Sequence, residues 1–190
     1  LLAYTLHLSQ GKKGHRSFNF ANLFFLPKDD SHLPSSMRPI SVVNTDNRLV
    51  ANVVRAGLSP VLMQILCKSQ KAFMPGEDIE GLVHKFNNAF YSALYEKRAL
   101  HQFFHDWRKA YDSVSRKYLL ALLEKIGVPE AYSNIIAQLF VNNQAFPILT
   151  GRHKVKITMT SGLRQGCPLS PILFLLALDP LLSDLEAVSG

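Results

Sequence analysis

Apolar residues recur at 50, 53, 54, 58, 61, 62 and 65, steps of three and four that put them on one helix face. Asp46 is a candidate cap for that helix. Pro60 lies inside the stripe, so it either kinks the helix or opens a new segment after Ser59. The same period predicts a helix through Ile79, Leu82, Val83, Phe86 and Phe90, after a turn at Pro75-Gly76. A further helix runs through Leu119, Leu122, Leu123 and Ile126 and stops at Gly127. The next starts near Pro129 and carries Tyr132, Ile135, Ile136, Leu139 and Phe140. Stripes of this kind are core faces. Residues 17–26 are rich in Phe and alternate enough for a strand, and 39–43 make a second, with a polar loop over 29–38 between them. Phe103-Phe104-His105-Asp106 reads as a short strand end. Gly151-Arg152, flanked by 146–149 and 154–158, predicts a hairpin. Ser170-Pro171 is a helix start, a cap followed by Pro at the first position. Helices and strands mix without regular βαβ alternation, so the expected fold class is α+β.

Composition narrows this picture. The 190 residues are 47% hydrophobic and 18% charged, which excludes a disordered tail and suffices for one domain or one lobe of something larger. Two cysteines, Cys67 and Cys167, cannot make a disulfide scaffold. The most apolar run, 171–182, is too short to span a bilayer and is broken by Asp179-Pro180. The first residues lack the basic n-region of a signal peptide, so secretion is not expected. The first residue is Leu1 rather than Met, which reads as a fragment.

Charge is placed unevenly within the net +7. Residues 1–28 contain no acid and carry Lys12, Lys13, Arg16 and Lys28. Residues 131–178 contain no acid and carry Arg152, Lys154, Lys156 and Arg164. Two acid-free basic stretches suit phosphates, although a solvated basic face has the same composition.

Four segments could carry chemistry. In Asp106-Trp107-Arg108-Lys109-Ala110-Tyr111-Asp112, an acid closing an apolar strand is placed to hold a divalent cation, because Mg²⁺ takes one or two carboxylates and fills its shell with phosphates. An ordinary turn acid would look the same, and Tyr111 alone reads equally as a core aromatic. Ser161-Gly162-Leu163-Arg164-Gln165-Gly166-Cys167-Pro168-Leu169-Ser170-Pro171 lets backbone approach a ligand closely, and Gln165 offers a donor and an acceptor. Leu26-Pro27-Lys28 and Met37-Arg38-Pro39-Ile40 put two cations at the edges of a loop, Arg suited to bidentate phosphate contact and Lys to a point charge.

In this order and spacing, the segments resemble the reverse transcriptase domain of non-LTR (LINE-type) retrotransposons. Leu26-Pro27-Lys28 and Arg38-Pro39-Ile40-Ser41-Val42-Val43-Asn44 resemble the two early fingers motifs. Gln70-Lys71-Ala72-Phe73-Met74-Pro75-Gly76 resembles the segment joining fingers to palm. Residues 106–114 resemble motif A and 161–171 motif B. The resemblance implies a right-hand polymerase fold, with fingers and connecting helices over 1–98 and a partial palm over 99–190. The 143–160 hairpin would return towards the fingers. It implies template-directed transfer of deoxynucleotides onto a DNA 3′ end, with an RNA template, a DNA primer or target and deoxynucleoside triphosphates as partners, and no membrane. Asp106 would be the catalytic metal ligand, for Mg²⁺ in a two-metal site. Tyr111 would select the deoxy sugar, Lys28 and Arg38 would grip the triphosphate, and Gln165 and Gly166 would border nucleotide and template. Arg152, Lys154, Lys156 and Arg164 would be weaker nucleic-acid contacts. Asp112 is taken as a structural acid.

Departures shape what is expected of this chain alone. Motif C, with its adjacent aspartates, and the thumb are expected beyond residue 190. The 190 residues are therefore expected to be inactive by themselves, as the front of a polymerase or as a nucleic-acid-binding fragment of a decayed element. A metal-dependent nuclease is a weaker alternative, lacking a His/Glu/Asp cluster. By family analogy the protein would act in the nucleus after translation in the cytoplasm.

Overall fold

A computed structural model describes residues 1–31, 33–67, 70–73, 78–102, 104, 106–148 and 155–189. Among them the strands β1 (Phe20–Pro27), β2 (Met37–Val43), β3 (Gln144–Pro147) and β4 (Ile157–Thr158) form one sheet in the order β2-β1-β3-β4. β1 runs antiparallel to β2 in the register Leu23↔Ser41 and Leu26↔Arg38. It runs parallel to β3, with Ala21 opposite Ala145, and β4 closes antiparallel on β3. The strand expected over 17–26 thus starts three residues late, because Phe18 and Phe20 donate backbone N–H bonds in a turn to His15 and Ser17. The expected hairpin exists as the β3–β4 pair. Its turn at Gly151-Arg152 lies outside the described residues, as do Arg152, Lys154 and the Pro75-Gly76 turn.

The longer helices are α1 (Leu2–Ser9), α2 (Thr45–Ile65), α3 (Ile79–Tyr95), then, after the four-residue α4 (Ala110–Ser113), α5 (Arg116–Lys125), α6 (Glu130–Phe140) and α7 (Ser170–Ser189). All of these but α3 contribute to the core, and the α3 stripe of Leu82, Val83, Phe86 and Phe90 stands exposed instead of forming a core face. Val50, Val54, Leu58 and Leu62 of α2 are buried against Leu119 and Leu123 of α5, Ile136 of α6 and Leu173 and Leu176 of α7. Of the seven α2 positions that the sequence period selects, these four are buried, whereas Val53, Val61 and Ile65 stand exposed. α2 passes unbroken through Pro60. Its N-cap is Asn44 rather than Asp46. The Asn44 side chain donates to Ser17 O at 2.8 Å, while Asp46 sits in the first turn and accepts from Asn47 N–H. A carboxylate there still favours the helix N-terminus electrostatically. At its other end α2 hands over to Cys67, whose N–H donates to Asp179 Oδ1 of α7 at 2.6 Å. Gln102, Phe104 and Asp106, expected near a short strand end, lie outside any strand, and Phe104 is 81% exposed. Without a paired neighbour the apolar run has no ladder to join. Phe103 and His105 lie outside the described residues.

β1 leaves the core after Leu23, and Phe24, Phe25 and Leu26 stand partly exposed. The far end of the β1–β2 ribbon therefore projects beyond the helical layer and carries Lys28 and Arg38 with it.

Candidate nucleotide-addition site

Four separate segments meet in one cleft of about 740 Å³. Lys28 and Arg38 come from the projecting ribbon, which antiparallel pairing folds back on itself. Arg38 lies opposite Leu26, and Lys28 N–H donates to Ser36 O at 2.8 Å. Asp106, Arg108, Lys109, Tyr111 and Asp112 come from the loop into α4, and Gln165 from the loop into α7. Residues 137 positions apart in sequence, Lys28 and Gln165, line the same space.

Backbone contacts lock these segments together. Ser41 N–H donates to Gln165 O at 2.8 Å, so the Gln165 loop pairs with the outer edge of β2. Gly166 holds φ +106°, and a Cβ there would lie 2.5 Å from Ser41 O. Only glycine fits between that loop and the strand. On the other side, Leu163 N–H donates to Tyr111 O at 2.8 Å and Gly162 N–H to Val114 O at 3.0 Å. Gly162 holds φ +76°, and a Cβ would lie 2.7 Å from the Asp112 Cα and O. The 161–171 loop is thus a backbone splint between β2 and the Asp106 segment. Gly166 borders the cleft through this packing rather than as a lining residue.

Side chains behind the splint hold it in place. Arg116 donates from Nε to Gly162 O at 2.9 Å, from one terminal nitrogen to Met159 O at 2.8 Å, and from the other to Ser161 O at 3.0 Å. Its guanidinium stacks over Phe140 at 5.1 Å, and burial lowers its pKa. Sequence reading passed over Arg116. Its only signal is its position one residue after a helix-capping Ser115, which accepts from Tyr118 N–H. Lys109 was also missed. It lines the cleft with φ +53°, a left-handed conformation that a non-glycine residue adopts at a cost of roughly 1 kcal/mol or more.

Arg164 is a correction. It was expected to touch nucleic acid, but it is only 6% exposed. Its guanidinium donates to Asn19 O inside a junction where Asn47 Nδ2 donates to Asn19 Oδ1 at 2.8 Å. Asn19 Nδ2 in turn donates to Gln138 O at 2.7 Å. Burial pushes the Arg164 pKa down to about 10, so it stays cationic at neutral pH. A cation spent this way cannot reach a phosphate outside. Lys156, expected in the same role, is exposed just before β4 and does not line the cleft.

Tyr111 is half-buried. Its ring stacks on Phe174 of α7 with centroids 4.9 Å apart and planes 11° from parallel. Burial raises its phenol pKa. That packing fixes the ring while it still lines the cleft. Asp106 is exposed and makes no side-chain hydrogen bond among the described residues. Asp106 and Asp112 are the acids of the cleft wall, and no group of three or more His, Cys, Asp or Glu gathers among the described residues. This donor set suits a hard cation such as Mg²⁺, which takes one or two carboxylates and completes its shell with water and phosphate oxygens.

Lys28, Arg38, Asp106 and the ordered ring of Tyr111 thus line one cleft. Comparison with known sequences makes the class specific. Residues 26–189 match the family of reverse transcriptases (RNA-dependent DNA polymerases), so the chain belongs to that family. Over 168 residues it is 30% identical to the retrovirus-related Pol polyprotein from a type-1 retrotransposable element R2 of Popillia japonica, covering 87% of this chain and 23% of that protein. It is 28% identical over 163 residues to an uncharacterized 149 kDa protein of transposon TX1 of Xenopus laevis, covering 85% of this chain and 12% of that protein. A probable RNA-directed DNA polymerase from transposon BS of Drosophila melanogaster is 23% identical over 150 residues. The chain therefore spans less than a quarter of these relatives' lengths. The resemblance to non-LTR retrotransposons stands, and the mixed α and β content is that of a reverse transcriptase domain.

Proposed function

We propose that the cleft is the nucleotide-addition site of an RNA-directed DNA polymerase, and that the chain forms fingers over 1–98 and part of a palm over 99–190. The observation that carries this reading is the gathering of Lys28, Arg38, Asp106, Tyr111 and Gln165 around one cleft, from segments that span 137 positions of sequence. A deoxynucleoside triphosphate enters with its phosphates against Lys28 and Arg38, where charge-assisted hydrogen bonds are strongest. Its sugar lies over Tyr111, whose stacked ring leaves no space for a 2′-hydroxyl. Gln165, fixed by its own backbone bond to β2, meets the base pair formed with the RNA template. The primer 3′ oxygen bonds to the α-phosphorus, the bond from that phosphorus to the bridging oxygen breaks, and pyrophosphate leaves with the electron pair. The 3′ proton passes to solvent. Mg²⁺, held by Asp106, supplies neutralisation of the phosphate charge when bound. The protein's own contribution is alignment and fixed positive charge.

With Asp106 and Asp112 as the acids of the cleft wall, the chain by itself binds nucleotide and nucleic acid rather than extending a primer. Its setting is the nucleus after cytoplasmic synthesis. Among the described residues no helix is long and apolar enough to cross a membrane. The test is primer extension on an RNA template with Mg²⁺, in a longer polymerase containing this segment. Asp106→Asn should abolish extension while thermal stability is retained, and undiminished extension would reject the assignment.

A further inference from the structure

We propose a second nucleic-acid contact, at residues 11–17 and the end of α6, that grips one phosphate of the sugar–phosphate backbone without reading bases. It rests on the reading that this chain handles nucleic acid, but not on the placement of the nucleotide cleft. Lys12, Lys13 and Arg16 are exposed and enter no ion pair among the described residues. No acid occurs in residues 1–28. What separates them from a solvated basic tail is that their loop is built. Asn134 Nδ2 of α6 donates to Ser9 O at 3.0 Å, and Gln138 Nε2 donates to Gly11 O at 3.1 Å. His15 N–H donates to Tyr4 Oη at 2.9 Å, and the His7 ring bonds Lys13 O at 3.1 Å. Leu8, fully buried, anchors α1 beneath the loop. Cations on such a loop lose little freedom on binding.

Lys13, His15 and Arg16 line a cleft of about 50 Å³ with Asn19, Gln138 and Asn142, and none of its lining residues is acidic. His15 Nδ1 lies 3.0 Å from Ser17 Oγ and 3.4 Å from Ser17 N, which holds the ring on the loop. The one aromatic lining residue, Phe18, is 1% exposed and offers no platform for base stacking. The contact is therefore to backbone and independent of sequence. It sits before the start of β1, whereas Lys28 follows its end. Eight residues of strand separate the two sites by roughly 25 Å, or about seven phosphates at duplex spacing. A strand of a dozen nucleotides or more can engage both, and a free nucleotide cannot.

The test uses the full chain, labelled oligouridine of about 20 nucleotides, and anisotropy titrations between 50 and 200 mM salt. Lys13→Ala with Arg16→Ala should lower the salt slope by about 0.7, the worth of one single-strand phosphate, which makes the affinity loss across that range roughly 2.6-fold smaller. The charge-preserving pair Lys13→Arg with Arg16→Lys should keep the original slope, and deoxynucleotide binding should be unchanged in both. An unchanged slope in the alanine pair, with wild-type RNA binding intact, overturns this contact and leaves the proposed function standing. If wild type binds no RNA at 50 mM salt, both fall. A third arm uses inorganic phosphate alone in thermal shift. Stabilisation of wild type but not of the alanine pair, with equal RNA slopes, would make the cleft a free-phosphate site and overturn the proposal.

Discussion

The cleft and the junction behind it use the same residue types for opposite ends. At the cleft, Arg38 and Gln165 stand on the wall of an open space. At the junction, Arg164, Asn19 and Asn47 are buried and bonded to one another or to backbone. Arg164 and Gln165 are neighbours in sequence, yet one faces inward and the other out. The chain turns between them, with Cys167 N–H donating to Arg164 O at 3.3 Å and Gln165 the second residue of that turn. The inward residue fixes the loop and the outward residue lines the cleft. A polar residue in a motif therefore serves architecture as readily as chemistry, and its burial tells which.

Three measurements would break or sharpen that contrast. The largest effect belongs to Gly162→Ala, which puts a Cβ 2.7 Å from the Asp112 backbone at φ +76°. We expect a loss of at least about 3 kcal/mol in urea unfolding, from strain plus overlap. A loss under about 1 kcal/mol would mean that the splint yields easily. Next come the two arginines as a pair. Arg164→Ala should cost about 1.5–3 kcal/mol of stability, the worth of a buried charge-assisted bond, with nucleotide affinity per folded molecule unchanged. Arg38→Ala should leave stability within about 0.5 kcal/mol and weaken deoxynucleotide binding about tenfold. If Arg164→Ala loses nucleotide binding instead, the inward and outward assignments are wrong. The smallest effect concerns Tyr111, whose ring belongs to both regions. Its folded pKa is raised by burial, so its neutral form is favoured in the folded state. That contribution is present below pH 10 and is lost as pH rises through the folded value. Ultraviolet titration of wild type against Tyr111→Phe should remove the tyrosine that ionises last, and loss of an earlier one would contradict its packing.

Much of this was legible in sequence because it is local. The α2, α5 and α6 core faces follow from a period of 3.6, and Lys28, Arg38, Asp106, Tyr111 and Gln165 stood out by motif and spacing. What was not legible depends on distant partners. The parallel pairing of Phe20 with Gln144 joins residues 124 apart, and no local pattern specifies it. Arg164 looked like one more member of an acid-free basic stretch, because composition carries no information about burial. Arg116 lacked any motif, and its role is set by three carbonyls more than forty residues downstream. Asp46 read as the cap, but Asn44 takes that place, and its side chain bonds to Ser17 O outside the helix.

The bond from Ser41 N–H to Gln165 O has one more effect, on how the molecule meets its own kind. It shows that Ser41 directs its N–H away from β1, and alternation gives the same direction to position 39. That position is Pro39, which has no N–H to offer. The outer rim of β2 is thus short of two donors in succession, one occupied and one missing. A passing strand would find little to zip onto there, so the sheet resists growth from that side into stacked aggregates. The same loop that borders the cleft also occupies a donor on that rim.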